Sequence, residues 1–263
     1  MRKNKLLSVA ISAFLLCIIP IEYFPKSITI SDSSELNWYY APTEEKNAIP
    51  DPPKESSSFL EENDAYFLGD TSSKTLYLTF DEGYEKGYTG KILDILKTTE
   101  VPAAFFVVKP YIEGEPELIN RMVSEGHLVC NHTSHHPSMA SIHDNEKFKS
   151  ELIEVENAFK DLTGEEMPKF FRPPMGKYSK DSLEKTKSLG YKTIFWSFAY
   201  KDWITEEQPS ESYAIEKIES KVHPGAIILL HAVSETNTNV LEKVIKDLKE
   251  QGYEFKSLNE LPE

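Results

Sequence analysis

The sequence predicts an α/β fold in which a parallel sheet is built from repeated strand-helix units. From residue 74 onward, short apolar runs rich in β-branched and aromatic residues alternate with amphipathic helical segments. The helical segments place apolar residues at steps of three and four. Six or seven such units indicate a (β/α) barrel, closed or incomplete. A doubly wound open sheet is the alternative, because the pattern does not reveal whether the sheet closes.

The predicted strands are short, apolar and bounded by turns. They are 75–80, 103–108, 127–131, 168–172, 191–197, 226–231 and 253–257. Two helical stripes lie between them. One runs from Phe148 to Leu162 and ends at Gly164, and the other covers 240–248 and ends before Gly252. Glycine is typical just after the last helical residue, so both stripes have a predicted C-terminal end.

The first 24 residues are predicted to direct export across the membrane. A basic stretch at residues 2–5 precedes an apolar run over 6–21, which is the order found in an export signal. No small-residue cleavage motif follows the run. A removed signal and a membrane anchor through residues 6–24 are therefore both compatible with the sequence. In either case we expect the protein in the cell envelope.

Residues 25–60 are predicted to form an extended arm, followed by one large domain over 61–263. The arm is polar, contains several prolines and has no periodicity that would bury a face. Its aromatic group at 38–40 indicates that part of it packs on the domain, with a membrane-proximal role as the alternative.

Charge and cysteine content narrow the possible partners. The chain has a formal net charge of −14, which repels phosphate backbones, so nucleic acid is excluded as a ligand. A neutral or weakly charged substrate is favoured.

The only cysteines are Cys17 and Cys130, and the first lies in the export segment, so no disulfide is expected within the domain. A domain of this length can rely on its core instead. We expect it to act as a monomer.

Polar residues follow the ends of several predicted strands and form a candidate site. They are Asp81, His132, Arg172, Asp202 and His231. In parallel α/β folds the carboxyl ends of the strands meet on one face, where active sites are built. Residues that are 150 positions apart in sequence are therefore expected to share one pocket.

Two pairs of residues indicate metal and acid-base chemistry. His132 and His136 are four residues apart, a spacing that on a helical turn brings both imidazoles within reach of one ion. Solvated loop histidines are the alternative. Asp81 and Glu82 leave a strand in different directions and are candidates for one general base and one metal ligand. A plain acidic turn is the alternative.

Two further groups indicate stabilisation of charge in a reaction. Arg172 ends a strand, and after two prolines Met175 offers a backbone N–H that suits an oxyanion. A structural ion pair is the other interpretation of the arginine.

Asp202 is placed to orient an imidazole at His231, beside an apolar wall to which Trp203 and Leu229 belong. The alternative is that both residues are structural, with Asp202 as an acid whose hydrogen bonds are all made within the protein and Trp203 as a core side chain. A lone histidine that ends an apolar strand is also more often structural than catalytic.

Five ordered segments resemble the motifs of the polysaccharide deacetylase family, also called the NodB-homology or carbohydrate esterase family 4 fold. They are TFDEG at 79–83, HTSHH at 132–136, RPPMG at 172–176, KDW at 201–203 and LLH at 229–231. The resemblance implies a deformed (β/α) barrel of about seven strands. It also implies metal-dependent hydrolysis of an N-acetyl group on an amino sugar.

The resemblance implies a role for each matching residue. By this resemblance, Asp81 is the general base and is oriented by Arg172, and His231 is the general acid and is held by Asp202. Residues around the substrate and its oxyanion are Met175, Trp203 and Leu229. The metal ligands are Glu82, His132 and His136. Two histidines and a carboxylate suit zinc, and cobalt, manganese or magnesium accept the same set. The sequence departs from the family pattern at Glu82 and Ala199, where the family has aspartates.

Longer stretches resemble the delta-lactam-biosynthetic de-N-acetylases of endospore-forming bacteria, among them YLTFDEGYEKGYT at 77–89 and HPGAIILLHAVS at 223–234. This likeness implies N-acetylmuramic acid in peptidoglycan glycan strands as substrate, on the path to muramic-δ-lactam in the spore cortex. It also implies a location at the cortex, between the spore membranes. The alternatives are an N-acetylglucosamine de-N-acetylase acting on peptidoglycan or a chitin-like polymer, and a glycan-binding module without turnover.

Overall fold

A computed structural model describes residues 31–41 and 43–262. The predicted export signal or anchor over 1–24 lies outside these ranges. None of the helices within them has the length and apolar character that crossing a bilayer requires.

Strands and helices alternate through the described domain as the sequence predicts. The strands are β1 (Leu36–Asn37), β2 (Ala65–Tyr66), β3 (Thr75–Glu82), β4 (Ala103–Val107), β5 (Leu128–Asn131), β6 (Phe170–Phe171), β7 (Lys177–Tyr178), β8 (Lys192–Ile194), β9 (Ala226–His231) and β10 (Glu254–Phe255). The helices are α1 (Thr89–Thr99), α2 (Lys109–Gly114), α3 (Pro116–Ser124), α4 (Asn145–Thr163), α5 (Lys180–Ser188), α6 (Glu211–Lys221) and α7 (Glu235–Glu250).

One parallel sheet curls into an incompletely closed barrel. Its strands follow the order β9-β3-β4-β5-β6-β8-β2, and β10 pairs with the first residues of β3. Single bridges from Leu68 and Phe198 to β9 draw the two ends of this path together. The predicted deformed (β/α) barrel of about seven strands is confirmed, in place of a doubly wound open sheet.

Strand β3 shows how alternation divides the core into two layers. Its even-numbered apolar side chains pack against the helices, namely Leu76, Leu78 and Phe80. Tyr77 instead joins the inner cluster, which is formed mainly by side chains of neighbouring strands. Because successive side chains point to opposite faces of a sheet, Asp81 belongs to the inward set and Glu82 to the outward set.

The predicted helical stripes form α4 and α7. The Asp144 carboxylate accepts a hydrogen bond from the Lys147 N–H at 2.9 Å and caps the start of α4. Gly164 ends this helix with a φ of 77°, a left-handed conformation that glycine adopts without strain. The predicted strand over 191–197 is shorter in the structure, because the chain leaves β8 and turns to β9, where the Ser197 N–H donates to the Ile227 carbonyl at 3.1 Å and Phe198 bridges Ile228.

The described part of the arm packs on the barrel. Strand β1 pairs antiparallel with β7, and the Trp38 N–H donates to the Gly176 carbonyl at 2.7 Å. The Trp38 indole stacks on Phe195 with 4.1 Å between ring centroids and donates to the Trp196 carbonyl at 2.9 Å. Among the described residues, everything from Ser31 onward belongs to one compact unit, so the arm is not a separate body there.

Removing the Trp38 side chain is expected to destabilise the domain. The residue is 7% exposed, so Trp38→Ala should lower the free energy of unfolding by about 3–5 kcal/mol. Urea denaturation followed by fluorescence measures this change. Glu44→Ala, an exposed position on the same arm, is the control and should change stability by less than about 0.5 kcal/mol. Equal stability of the two variants would contradict the packing described for the arm.

Candidate active site

A cavity of about 930 Å³ opens at the carboxyl ends of the strands. Side chains from three separate motifs line it, namely Asp81, His132, His136 and His231. They come from the end of β3, the loop after β5 and the end of β9. The fold therefore brings together residues that are 150 positions apart in the chain.

Arg172 lies beneath this cavity and is fully buried. Its Nη1 donates to Asp81 Oδ1 at 2.8 Å, and its Nη2 donates to Thr79 Oγ1 at 2.9 Å. Its Nε donates to the Ile194 carbonyl at 3.0 Å, and the guanidinium lies 4.1 Å from the centroid of the Phe106 ring. The arginine thus holds one Asp81 oxygen in a fixed position and leaves the other directed to the cavity.

Asp81 and His231 are direct neighbours across two parallel strands. The register of β3 and β9 pairs their Cα positions, so both side chains extend from the same face of the sheet. Burial alone would raise the pKa of Asp81, but its interactions with Arg172, His132 and His231, of which the Arg172 guanidinium is the strongest, outweigh burial and hold that pKa below its ordinary value. Asp81 is therefore a carboxylate at neutral pH and able to accept a proton.

His132 presents one ring nitrogen to the cavity. Its Nδ1 lies 2.8 Å from the Arg172 carbonyl, which only accepts hydrogen bonds, so Nδ1 carries the proton and Nε2 has a free lone pair. That Nε2 lies 3.7 Å from Asp81 Oδ2. Burial lowers the pKa of His132 to about 4, so the ring is neutral and suited to bind a cation.

The ring of His136 lies beside that of His132, with 4.9 Å between the ring centroids. The predicted helical turn does not form here. The segment is a loop in which Thr133 and His136 have φ values of 74° and 57°. The Thr133 side chain stabilises this loop by accepting from the His136 N–H at 2.9 Å. The two imidazoles meet through a turn of the backbone, not through helical periodicity.

Glu82, the predicted third metal ligand, does not reach the histidine pair. Its side chain is fully buried on the outward face of β3 and is absent from the cavity lining. Thr89 Oγ1 lies 3.3 Å from Glu82 Oε1, whereas Oε2 has no hydrogen-bond partner among the described residues. Burial, together with the nearby Glu85 charge, raises the pKa of Glu82 well above its ordinary value. Glu82 does not reach the histidine pair because successive side chains of a strand point to opposite faces of the sheet, which places Glu82 on the face opposite to Asp81.

The donor set at the cavity fits a divalent cation through two ligands. His132 and His136 are neighbouring imidazoles, and the hydrogen bond at His132 Nδ1 is typical of a metal-binding histidine. Across residues 31–41 and 43–262, no three or more histidine, cysteine, aspartate or glutamate side chains are arranged to hold a metal ion. A cation held here would complete its coordination with groups other than Glu82.

His231 is oriented by Asp202. The His231 Nδ1 lies 2.7 Å from Asp202 Oδ1, and the His231 backbone N–H donates to Asp202 Oδ2 at 2.9 Å. Asn237 Nδ2 donates to the same Oδ2 at 2.6 Å, and Tyr200 donates to the Asn237 side chain. Burial lowers the pKa of His231, but the hydrogen bond and charge of Asp202 outweigh it, so the net shift is upward.

The remaining predicted site residues line the cavity. Met175 has a φ of 58°, a left-handed conformation that is uncommon for a residue with a side chain, in the turn that follows the two prolines. Trp203 is half exposed, with its ring centroid 5.5 Å from that of His231. Leu229 is buried at the cavity floor, and its N–H donates to the Phe198 carbonyl at 2.9 Å.

Several cavity residues were not identified from the sequence as part of the site. Trp38, Tyr39 and Tyr40 reach the cavity from the arm, and Tyr84 reaches it from the loop after β3. Their aromatic clustering was the available signal, and it indicated packing but not a location. Asn237, in the first turn of α7, gave no signal, because its contact with Asp202 depends on the path of the chain between them.

Replacing Asp202 by asparagine is expected to lower the pKa of His231. The substitution removes the charge that raises this pKa and leaves the burial that lowers it. NMR titration of the His231 imidazole nitrogens should give a lower pKa in Asp202→Asn than in the unsubstituted protein, where the pKa lies above its ordinary value. Asp51→Asn, at an exposed site, is the control. An unchanged His231 pKa in Asp202→Asn would show that the carboxylate does not control this imidazole.

Comparison with known proteins identifies relatives that share both sequence and fold. Residues 68–194 match the polysaccharide deacetylase family. An uncharacterised 30.6 kDa protein of Geobacillus stearothermophilus is 49% identical over 212 residues, which cover 81% of this chain and 80% of the relative. The peptidoglycan-N-acetylmuramic acid deacetylase PdaA of Bacillus subtilis is 44% identical over the same shares of the two chains.

The solved structure of Bacillus subtilis PdaA, described as a family 4 carbohydrate esterase, is also similar. It has a TM-score of 0.83 and 42% sequence identity to this protein, and the match covers 87% of this chain and 97% of the other. Identity at this level extends over most of both chains. The chain therefore belongs to the polysaccharide deacetylase family.

Proposed function

We propose that this protein is a metal-dependent hydrolase that removes the N-acetyl group from N-acetylmuramic acid in peptidoglycan glycan strands. The observation that carries the proposal is the in-register pair of Asp81 and His231, each held by its own buried partner at one cavity. The relative PdaA is named as a deacetylase of peptidoglycan N-acetylmuramic acid, which supports the choice of substrate.

The proposed reaction uses the two titratable groups in turn. Asp81, ionised at neutral pH, accepts a proton from water as the water attacks the acetyl carbonyl. The Met175 N–H is the proposed donor to the resulting oxyanion. His231, whose raised pKa favours the protonated ring, gives its proton to the departing amine. Acetate and a free amino sugar are the products.

His132 and His136 are the residues that would hold the cation, which we propose to be zinc, with cobalt, manganese or magnesium as alternatives. When bound, a divalent cation would polarise the acetyl carbonyl and lower the pKa of the attacking water. The neutral state of His132 at pH 7 supports this role, because a protonated imidazole does not bind metal.

The chemistry of the product supports a path to muramic-δ-lactam. Deacetylation frees the amine on C2 of the sugar, and the lactyl group on C3 carries a carboxyl group. Joining the two with loss of water closes a six-membered lactam ring. We place the enzyme on this path in the spore cortex. We further propose that it is exported, with removal of the signal or anchoring through residues 6–24, and that it acts as a monomer.

Acetate release from defined glycan strands tests the proposed function. We expect the purified protein to release acetate from muramic acid units, measured on strands with and without stem peptides and with products located by mass spectrometry. Asp81→Asn should lower the rate by at least about 10²-fold, because it removes the general base. The matched control Asp51→Asn, at an exposed position, should retain the rate.

Two outcomes would contradict the proposal. Acetate release from N-acetylglucosamine units alone, in peptidoglycan or chitin oligosaccharides, would favour the alternative substrate. Binding of strands without acetate release at any metal loading would favour a glycan-binding module.

A further inference from the structure

One positively charged side chain at the cavity has no role in the proposed reaction. Lys201 lines the cavity, and no other lysine or arginine does so among the described residues. We infer that Lys201 binds the lactyl carboxylate of the muramic acid unit and thereby favours muramic acid over glucosamine. This inference rests on the proposed function and assigns a residue to its substrate preference.

Of the positively charged side chains Arg172 and Lys201, only Lys201 is available to bind a substrate carboxylate. The guanidinium of Arg172 is buried beneath the cavity and already bound to Asp81 at 2.8 Å. The Lys201 ammonium lies 3.9 Å from Glu207, and the two side chains are 61% and 75% exposed. Exposed pairs of this kind contribute little to stability, so Lys201 can exchange this partner for a substrate carboxylate at low cost.

The position of Lys201 in the chain suits the geometry of the sugar. It directly precedes Asp202, whose carboxylate lies 2.7 Å from His231 Nδ1. Consecutive Cα atoms are about 3.8 Å apart, so the lysine stem starts close to the proposed acid. In the sugar, the acetamido and lactyl groups occupy adjacent carbons. An acetamido group between Asp81 and His231 therefore places the lactyl group within reach of this wall of the cavity.

The arm fixes the loop that carries Lys201. The Tyr40 hydroxyl donates to the Ala199 carbonyl at 3.0 Å and accepts from the Ala199 N–H at 3.2 Å. Both hydrogen bonds lie two residues before the lysine. The arm therefore connects the side of the cavity formed by β1 and β7 to the loop between β8 and α6.

The surroundings strengthen a charge interaction at this position. Tyr39, Tyr84 and Trp203 line the cavity, and each is about half exposed, so bound sugar rings would cover apolar surface there. Displacing water next to an ammonium group lowers the local dielectric constant and strengthens its attraction to a carboxylate. Because the whole chain has a net charge of −14, an anionic substrate needs such a local cation.

Acetate-release kinetics on two matched substrates test the role of Lys201. One substrate is peptide-free glycan strands with free lactyl carboxylates, and the other is the same strands with these carboxylates converted to methylamides. We expect the unsubstituted enzyme to prefer the free carboxylate about tenfold in kcat/KM, mainly through KM, as for a hydrogen bond between charged groups. Lys201→Met should lose this preference, and Lys201→Arg should retain most of it.

Lys86→Met is the matched control. Lys86 is an exposed lysine in the smaller pocket that adjoins the cavity at Val233, outside the cavity itself. This control should keep the preference of the unsubstituted enzyme. Equal rates of Lys201→Met and the unsubstituted enzyme on both substrates would overturn the inference.

Two other results are also decisive. Equal losses of Lys201→Met on both substrates would show a general role in folding or catalysis and overturn the inference, while leaving the proposed function intact. Absence of acetate release from muramic acid units by the unsubstituted enzyme would refute the proposed function, and the assignment of Lys201 with it.

Discussion

The site depends on one buried guanidinium. Arg172 donates to Asp81, Thr79 and a strand carbonyl inside the barrel, and its own carbonyl lies 2.8 Å from His132 Nδ1. A buried charge is costly unless it is paired and hydrogen-bonded, so these contacts are required for the arginine to be inside at all. The same contacts fix the oxygen of Asp81 and the tautomer of His132. One residue therefore orients both cavity groups, Asp81 through its guanidinium and His132 through its backbone carbonyl.

Strand alternation determines which residues of the chain face the cavity. Asp81 and Glu82 are adjacent carboxylates on β3, yet they lie in different environments. Asp81 faces the cavity, where its interactions with Arg172, His132 and His231 lower its pKa. Glu82 faces the helices, where burial raises its pKa. One is suited to accept a proton at neutral pH, and the other is separated from the histidines by the sheet itself.

The sequence predicted the barrel and the gathering of strand-end residues, because both follow from local patterns. Periodicity identified α4 and α7, and the apolar runs identified β3 and β9. Register is different. The pairing of Asp81 with His231 depends on how two distant strands align, and no local pattern encodes that alignment. Two-residue strands such as β1 and β7 were missed for a related reason, since their pairing depends on Trp38 packing and not on strand propensity.

We propose that His132 and His136 form the cation site and that Glu82 lies outside it. Calorimetric titration of the metal-free protein with zinc at neutral pH tests this most directly, comparing Glu82→Gln with His132→Ala. We expect Glu82→Gln to bind zinc as the unsubstituted protein does, within about threefold, and His132→Ala to bind it at least about 10-fold more weakly, since ligand losses have effects of this size or larger. Loss of zinc affinity in Glu82→Gln with unchanged affinity in His132→Ala would contradict it.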